Sequence, residues 1–446
     1  MKISDNRKNI LQNLGWSVVG KMTTLTGSLV VGLIVARYLG PERYGLMNYV
    51  ISVVFLFQTL SVFGLDQIEV REEARSPQDF RSIIGTAFAI RLVLAAIALS
   101  AVVAWAWIFE EDAYVSAMIC LYALTILCGT LNVVRNYFMA IVQNKYVVKS
   151  EITRTLVGMT VKIALYLAGA SLTCFIAACA FDFVLLASGY VVAYRRRVGP
   201  LSEWRFDARW CRLLLRESFP LLLTTAAVVV YQRIDQVMIG RMVSKESVGY
   251  FSTASRFVEV LMYIPMMLAQ TISPVLTRIR SRSEQVYAAR AQTFMNVSVW
   301  LSIFAGGLTS ILSYWIILLL LGPAYLPAVG VLQVMAFKAA SVALSNTAGT
   351  MLVVEGLQKW AIFRDLLGCL VCVGLNWILL PRYGIMAAAY VAIASNIAAG
   401  WLADLFIPAY RHLFRMQTRA LCLGWASLFR LSELRGNPEN RETRET

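Results

Sequence analysis

Long apolar runs separated by short polar breaks fill the chain from Trp16 to Ile407. A helix that crosses the hydrocarbon core of a membrane needs about 20 mostly apolar residues. Twelve stretches qualify: 16–38, 46–65, 83–109, 114–134, 152–169, 172–194, 221–242, 251–272, 294–321, 328–354, 361–380 and 385–407. The run 291–337 carries no Asp, Glu, Lys or Arg and is too long for one crossing; Gly322-Pro323 and Pro327 divide it. The first run is longer than the apolar core of a signal peptide and leads into Arg37-Tyr38-Leu39-Gly40-Pro41, not a small-residue cleavage site. The pattern predicts an all-α polytopic membrane protein.

Composition agrees. The chain is 59% hydrophobic and 15% charged, against roughly 45–50% and about 25% in soluble domains. An ordinary cytosolic enzyme and a disordered chain are both excluded. A single histidine, His412, speaks against a His-rich metal centre or a Ser-His-Asp site. The eight cysteines show one metal-like spacing, Cys369-x-x-Cys372, inside an apolar run, where they read as small buried residues.

The net charge of +15 follows from where the basic residues fall. Thirty, Arg135 and Arg154 among them, are counted to the N-terminal segment, the even-numbered loops and the C-terminal tail; five (Arg37, Arg43, Arg241, Lys245, Arg382) lie in the odd-numbered loops. The positive-inside rule then puts both termini in the cytoplasm, and no nucleic-acid partner is needed. Residues 204–216 and 412–431 mix aromatic and aliphatic residues with arginines and read as interfacial helices held by anionic headgroups. The tail beyond Ser432 reads as polar and disordered.

The chain also repeats itself. Ala36 to Met47 aligns without gaps on Gly240 to Phe251, 204 residues later, matching Arg37 with Arg241, Glu42 with Glu246 and Gly45 with Gly249. Each segment leaves the first span of a six-span half. An offset of six helices means a parallel repeat, the architecture of transporters that rock two lobes about a central site. The expected organisation is an N-terminal lobe over 1–204, a C-terminal lobe over 205–410 (an interfacial helix and spans 7–12), and a basic cytoplasmic tail over 411–446.

Ionisable residues within spans are costly, so they are candidates for function. Arg91, Lys162, Asp182, Arg233, Asp235 and Lys338 fall near mid-depth and sum to +2. A cationic interior suits an anionic group such as a pyrophosphate. Arg91, Lys162, Arg233, Lys338 and Lys21 are the candidate substrate-binding cations; Asp182 and Asp235 are the candidate ion-coupling carboxylates. Structural roles compete: Lys162 and Asp182 flank one tight turn at similar distances and could simply pair, Arg91 and Lys338 could meet other carboxylates, and Lys21 could snorkel to the inner surface. Asp365 and Asp404 read as interfacial, Pro220 as a helix-start proline and Pro265 as a hinge or a tolerated bend. No G-x-x-x-x-G-K-[ST] loop is present, no metal or cofactor is implied, and the short outer loops leave little room for a catalytic surface.

The Ala36-Arg37-Tyr38-Leu39-Gly40-Pro41-Glu42-Arg43-Tyr44-Gly45 turn, Phe63-Gly64-Leu65 with Arg71-Glu72, Ser218-Phe219-Pro220-Leu221 and Arg233-Ile234-Asp235-Gln236-Val237-Met238-Ile239-Gly240 resemble the O-antigen and exopolysaccharide flippases of the multidrug/oligosaccharidyl-lipid/polysaccharide exporter superfamily. The resemblance covers Asn9 to about Ile407. It implies transport of undecaprenyl-pyrophosphate-linked oligosaccharide from the cytoplasmic to the periplasmic leaflet of the bacterial inner membrane. A polysaccharide polymerase and a chain-length regulator are the implied partners, with membrane lipid. A multidrug or lipid II exporter of the same superfamily, or a membrane-embedded polymerase or glycosyltransferase, are the alternatives.

Overall fold

A computed structural model describes the backbone of residues 2–428 and the side chains of residues 27–426. The Lys21 side chain and the tail from Phe429 lie outside the described residues.

Every regular element among the described residues is helical. Helix α1 (Lys2–Val62) is two spans joined at Gly40, whose φ of 72° needs a residue without Cβ; Pro41, with its fixed φ, then starts the second. A second left-handed glycine, Gly64 (φ 68°), turns the chain into α2 (Leu65–Arg75). Then come α3 (Phe80–Phe109) and a fourth crossing in three pieces, α4 (Ala113–Ala123), α5 (Thr125–Gly129) and α6 (Asn132–Ala140). Next are α7 (Lys145–Leu167), α8 (Leu172–Arg197), α9 (Ala208–Met242), α10 (Lys245–Arg280), α11 (Glu284–Leu321), α12 (Ala328–Met335) and α13 (Lys338–Glu355). Helix α14 (Ala361–Ile397) is again two spans, joined at Gly384 (φ 59°) after Pro381. It passes through a π-helical turn, Ala398–Leu402, into α15 (Ala403–Phe406) and then α16 (Arg411–Leu423).

Nine segments among the described residues are long and apolar enough to cross a membrane. Two of the nine contain the kinks at Gly40 and Gly384 and so supply two crossings each. Helix α7 spans 23 residues but carries Glu151, Arg154 and Lys162, which lower its hydropathy. Counting it gives the twelve crossings expected.

Two details depart from the sequence reading, and a third adds to it. Leu65–Arg75, taken as an inner loop, is a helix with a buried polar face. Residues 208–216 form no separate interfacial helix: they are the first turns of α9, which continues through Pro220. Asp404, read as interfacial, is fully buried within the protein, 3.3 Å from the Arg364 guanidinium.

Packing divides the chain into two units, Met1–Ser252 with Leu320–Tyr325, and Thr253–Leu319 with Leu326–Thr446. In the first, Leu65, Ile84, Ala87, Val134, Phe138, Tyr190 and Leu214 form one core. Segment 205–207 is tied to α3 by Arg205 N donating to Arg81 O (3.2 Å) and Asp207 N to Thr86 Oγ1 (2.9 Å). Tyr325 donates to Ala36 O at 2.6 Å. In the second unit, Met295, Val299, Leu344, Met351 and Leu413 meet in another core. There α16 buries Leu413, Gln417 and Ala420 and turns Arg411, Arg415 and Arg419 outward. Trp300 Nε1 donates to Ala420 O at 2.8 Å. The π-helical turn exposes carbonyls that a regular helix would use: Ala399 O accepts from Arg364 Nε (3.0 Å), and Gly400 O from Gln417 Nε2 (2.5 Å).

Candidate functional site

The two halves of the sequence repeat meet inside the first unit. A Cβ on Gly45 would overlap the Lys245 carbonyl and the Gly249 nitrogen; one on Gly249 would overlap the Pro41 carbonyl. Lys245 and Gly249 are the residues 204 positions after Pro41 and Gly45. The contact is therefore reciprocal, as at a two-fold interface, and only glycine allows the backbones so close. Around it, Tyr49 donates its hydroxyl to Glu110, and Arg241 donates to Phe109 O and to Glu110 (3.4 Å). The Lys245 ammonium lies 3.0 Å from the Tyr49 ring centroid and 3.8 Å from Glu110. Glu42, Arg43, Glu110, Asp112, Arg241 and Lys245 line an adjoining cavity of about 640 Å³.

A second polar cluster is buried between α2, α3 and α6. Arg91 is 1% exposed. Its Nε donates to Glu69 at 2.8 Å and its Nη2 to Asp66 at 2.7 Å. Asn136 Nδ2 donates to Glu69 (2.6 Å) and Asp66 (2.9 Å), and Arg135 Nη2 reaches Asp66 at 3.2 Å. Glu73, 2% exposed, has no hydrogen-bond partner on either oxygen. Arg91 thus meets carboxylates on α2 that the sequence reading left in a loop. The expected surplus of positive charge does not survive their addition. What distinguishes one cation from another is whether a carboxylate already holds it.

Lys162 and Asp182 do pair across the α7–α8 turn. Gly158 makes room for the Asp182 carboxylate. Arg233 places its guanidinium 5.5 Å from the Phe55 ring centroid. Asp235 is buried on α9, beside Gln236, which accepts from Ser52 at 2.5 Å. Tyr122, buried on α4, has Asp182, Arg233 and Arg154 as charged neighbours, so α7, α8 and α9 bring these three together. Lys338 lies in the second unit, half-buried at the break between α12 and α13. No carboxylate among the described residues pairs with it.

Sequence reasoning missed Asp66, Glu69 and Glu73, although their i, i+3, i+7 spacing marks one helix face. It also counted Arg135 and Arg154 as loop charges. The available signal was that Arg154 precedes Lys162 by eight residues, two turns along one helix.

Residues 10–280, more than half of the chain, match the family described as polysaccharide biosynthesis protein. The chain belongs to this family. Over 90 residues it is 30% identical to the succinoglycan biosynthesis transport protein ExoT of Rhizobium meliloti (strain 1021), a stretch covering 20% of this chain and 18% of that relative. The fold is similar to that of the lipid II flippase MurJ in an inward closed conformation, with a TM-score of 0.70 at 12% identity over 93% of this chain and 92% of that one. It is also similar to an inward-facing multidrug resistance MATE family transporter of the MOP superfamily, with a TM-score of 0.67 at 13% identity over 89% and 96%. The polysaccharide biosynthesis chain therefore has the two-lobe, twelve-helix fold of this transporter superfamily. It is a multi-pass membrane protein, and the similar proteins named above are a transport protein, a flippase and a multidrug transporter.

Proposed function

We propose that this protein flips undecaprenyl-pyrophosphate-linked oligosaccharide from the cytoplasmic to the periplasmic leaflet of the bacterial inner membrane, for O-antigen or exopolysaccharide synthesis. One observation carries the reading: a polysaccharide biosynthesis chain has, over nine-tenths of its length, a fold similar to that of a lipid II flippase. A polar sugar head must cross hydrocarbon while its lipid tail stays in the bilayer, and two lobes opening alternately to each side do this without exposing the head to lipid. The halves proposed to rock are the sequence repeats, 1–204 and 205–410, with both termini and the 411–446 tail in the cytoplasm. Arg233, Lys338 and Lys21 attract the anionic head, and Asp235 and Asp182 are the carboxylates that exchange a coupling proton or sodium ion. A polymerase and a chain-length regulator take over the product outside.

The deciding experiment compares cells with and without the protein, using a membrane-impermeant lectin or a periplasmic glycosidase to report outer-leaflet oligosaccharide. The expected result is complete oligosaccharide trapped on the inner leaflet when the protein is missing. Normal delivery with altered chain length would overturn the reading in favour of a polymerase. The MATE likeness favours drug export as a second reading, which predicts altered drug tolerance and unchanged oligosaccharide.

A further inference from the structure

Arg135 on α6 and Arg154 on α7 lie within the helical packing of the first unit. The Nε of each is buried and has no hydrogen-bond partner. Arg135 is 31% exposed and makes one contact, with Asp66 at 3.2 Å. Arg154 is half-buried and, among the described residues, has no ion-pair or hydrogen-bond partner. Glu151, one turn away on the same helix, does not pair with it. Both arginines are charged neighbours of the buried Tyr190, so they stand on the same side of α8.

The register of α7 on α8 fixes their level. Gly189 faces Ser150, and Gly158 faces Asp182. Arg154 therefore lies midway between Tyr190 and the Lys162–Asp182 pair. It is nine residues past Lys145, about 14 Å along the helix at 1.5 Å per residue. That depth is within reach of a lipid headgroup entering from the α6–α7 end.

Folding gains nothing from the two unpartnered Nε donors. A buried donor with no acceptor is costly, and a charged donor more so. Arg91 is neutralised by Asp66 and Glu69, and Lys162 by Asp182. Arg135 shares Asp66 with Arg91, and the cation left without a carboxylate partner among the described residues is Arg154. Each guanidinium is a planar fork suited to phosphate oxygens.

We propose that Arg135 and Arg154 bind the pyrophosphate of the lipid-linked substrate, its oxygens accepting from the two buried Nε–H groups. This rests on the flippase reading and gives it a loading site.

The full chain in phosphatidylcholine nanodiscs is titrated with farnesyl pyrophosphate, which carries the headgroup on a short isoprenoid. R135Q and R154Q are each expected to weaken binding at least tenfold. R154K, which keeps the charge and loses the fork, should weaken it less. Inorganic pyrophosphate, the same group without a chain, should compete; farnesol should not bind. Thermal unfolding separates site from scaffold, because removing an unpaired buried charge should leave R154Q as stable as the parent or more so. If R154Q does not fold, R154K carries the affinity test. Unchanged affinity in both arginine variants, or no competition by inorganic pyrophosphate, overturns the site whatever the leaflet assay shows. Arginine-dependent binding together with normal oligosaccharide delivery in cells lacking the protein overturns the transport reading and leaves the site standing.

Discussion

Gly45 packs backbone to backbone against Gly249, the residue that occupies its own position in the second half of the sequence repeat. A pseudo-two-fold relation visible in the sequence only as three identities in twelve thus becomes a physical contact. If transport separates the repeat halves on this side, the contact must break and re-form in each cycle, and its surface must stay smooth.

Adding a methyl group at that contact is therefore expected to be damaging. In G249A the new Cβ meets the Pro41 carbonyl, and in G45A the Lys245 carbonyl, backbone atoms that cannot turn aside. Overpacking of this kind costs about 1–3 kcal/mol. Both variants should unfold at lower temperature in detergent and transport less. G307A, where a Cβ meets nothing within 4 Å, is the control and should match the parent.

Arg91 is expected to be the most sensitive cation for stability. R91Q would leave Glu69 and Asp66 without the guanidinium that holds them. Stranding one side of a buried ion pair costs about 3–5 kcal/mol. Thermal unfolding should show a large drop for R91Q that E69Q only partly rescues in the double variant, since Asp66 remains. A stable R91Q with impaired substrate binding would instead mean that Arg91 serves the substrate.

Glu73 makes the opposite prediction on the same helix face. Neither of its oxygens is hydrogen-bonded, so E73Q breaks no contact and removes a buried acid group beside Glu69. Its melting temperature should equal or exceed that of the parent. A clear loss of stability would show that the carboxylate has a partner in the membrane.

The docking of α16 should depend on pH. His412 Nε2 lies 2.8 Å from Glu355, and the hydrogen bond and charge of that carboxylate raise the imidazole above its usual range. Because the folded value is the raised one, the pair stabilises fully below the unfolded value of about 6.5 and loses that contribution as pH rises through the folded value. The pair is 46% exposed on the histidine side, so the effect is modest. Proteolysis of α16 should be faster at alkaline than at mildly acidic pH, and H412Q should flatten the difference.

The spans were legible because each is an apolar run bounded by glycine, proline or charge, and the α7–α8 ion pair because both residues can be counted from one turn. The carboxylates of α2 were not. A short helix whose buried face is Glu69, Glu72 and Glu73 has the composition of a loop, and the Arg91 and Asn136 donors that hold Glu69 come from other helices. Arg154 was misplaced for a related reason. Positive residues near a span end count as loop charges, and one extra turn of helix carries such a residue inside. The start of α9 was misread at Pro220, because a proline is tolerated within a membrane helix as well as at its start.

The π-helical turn at Ala398–Leu402 is in effect one residue more than an α-helix would use there. Deleting any one of those five residues would restore a regular ladder through the turn and leave the helix on either side close to its present place. The Ala399 and Gly400 carbonyls would return to the helix, leaving the Arg364 and Gln417 donors without them, and the contact that docks α16 through Gln417 would be lost. A single-codon deletion in this otherwise unremarkable alanine-rich stretch is therefore a more severe lesion than most substitutions in it, and homologues that differ in length by one residue here should also differ at Arg364 and Gln417.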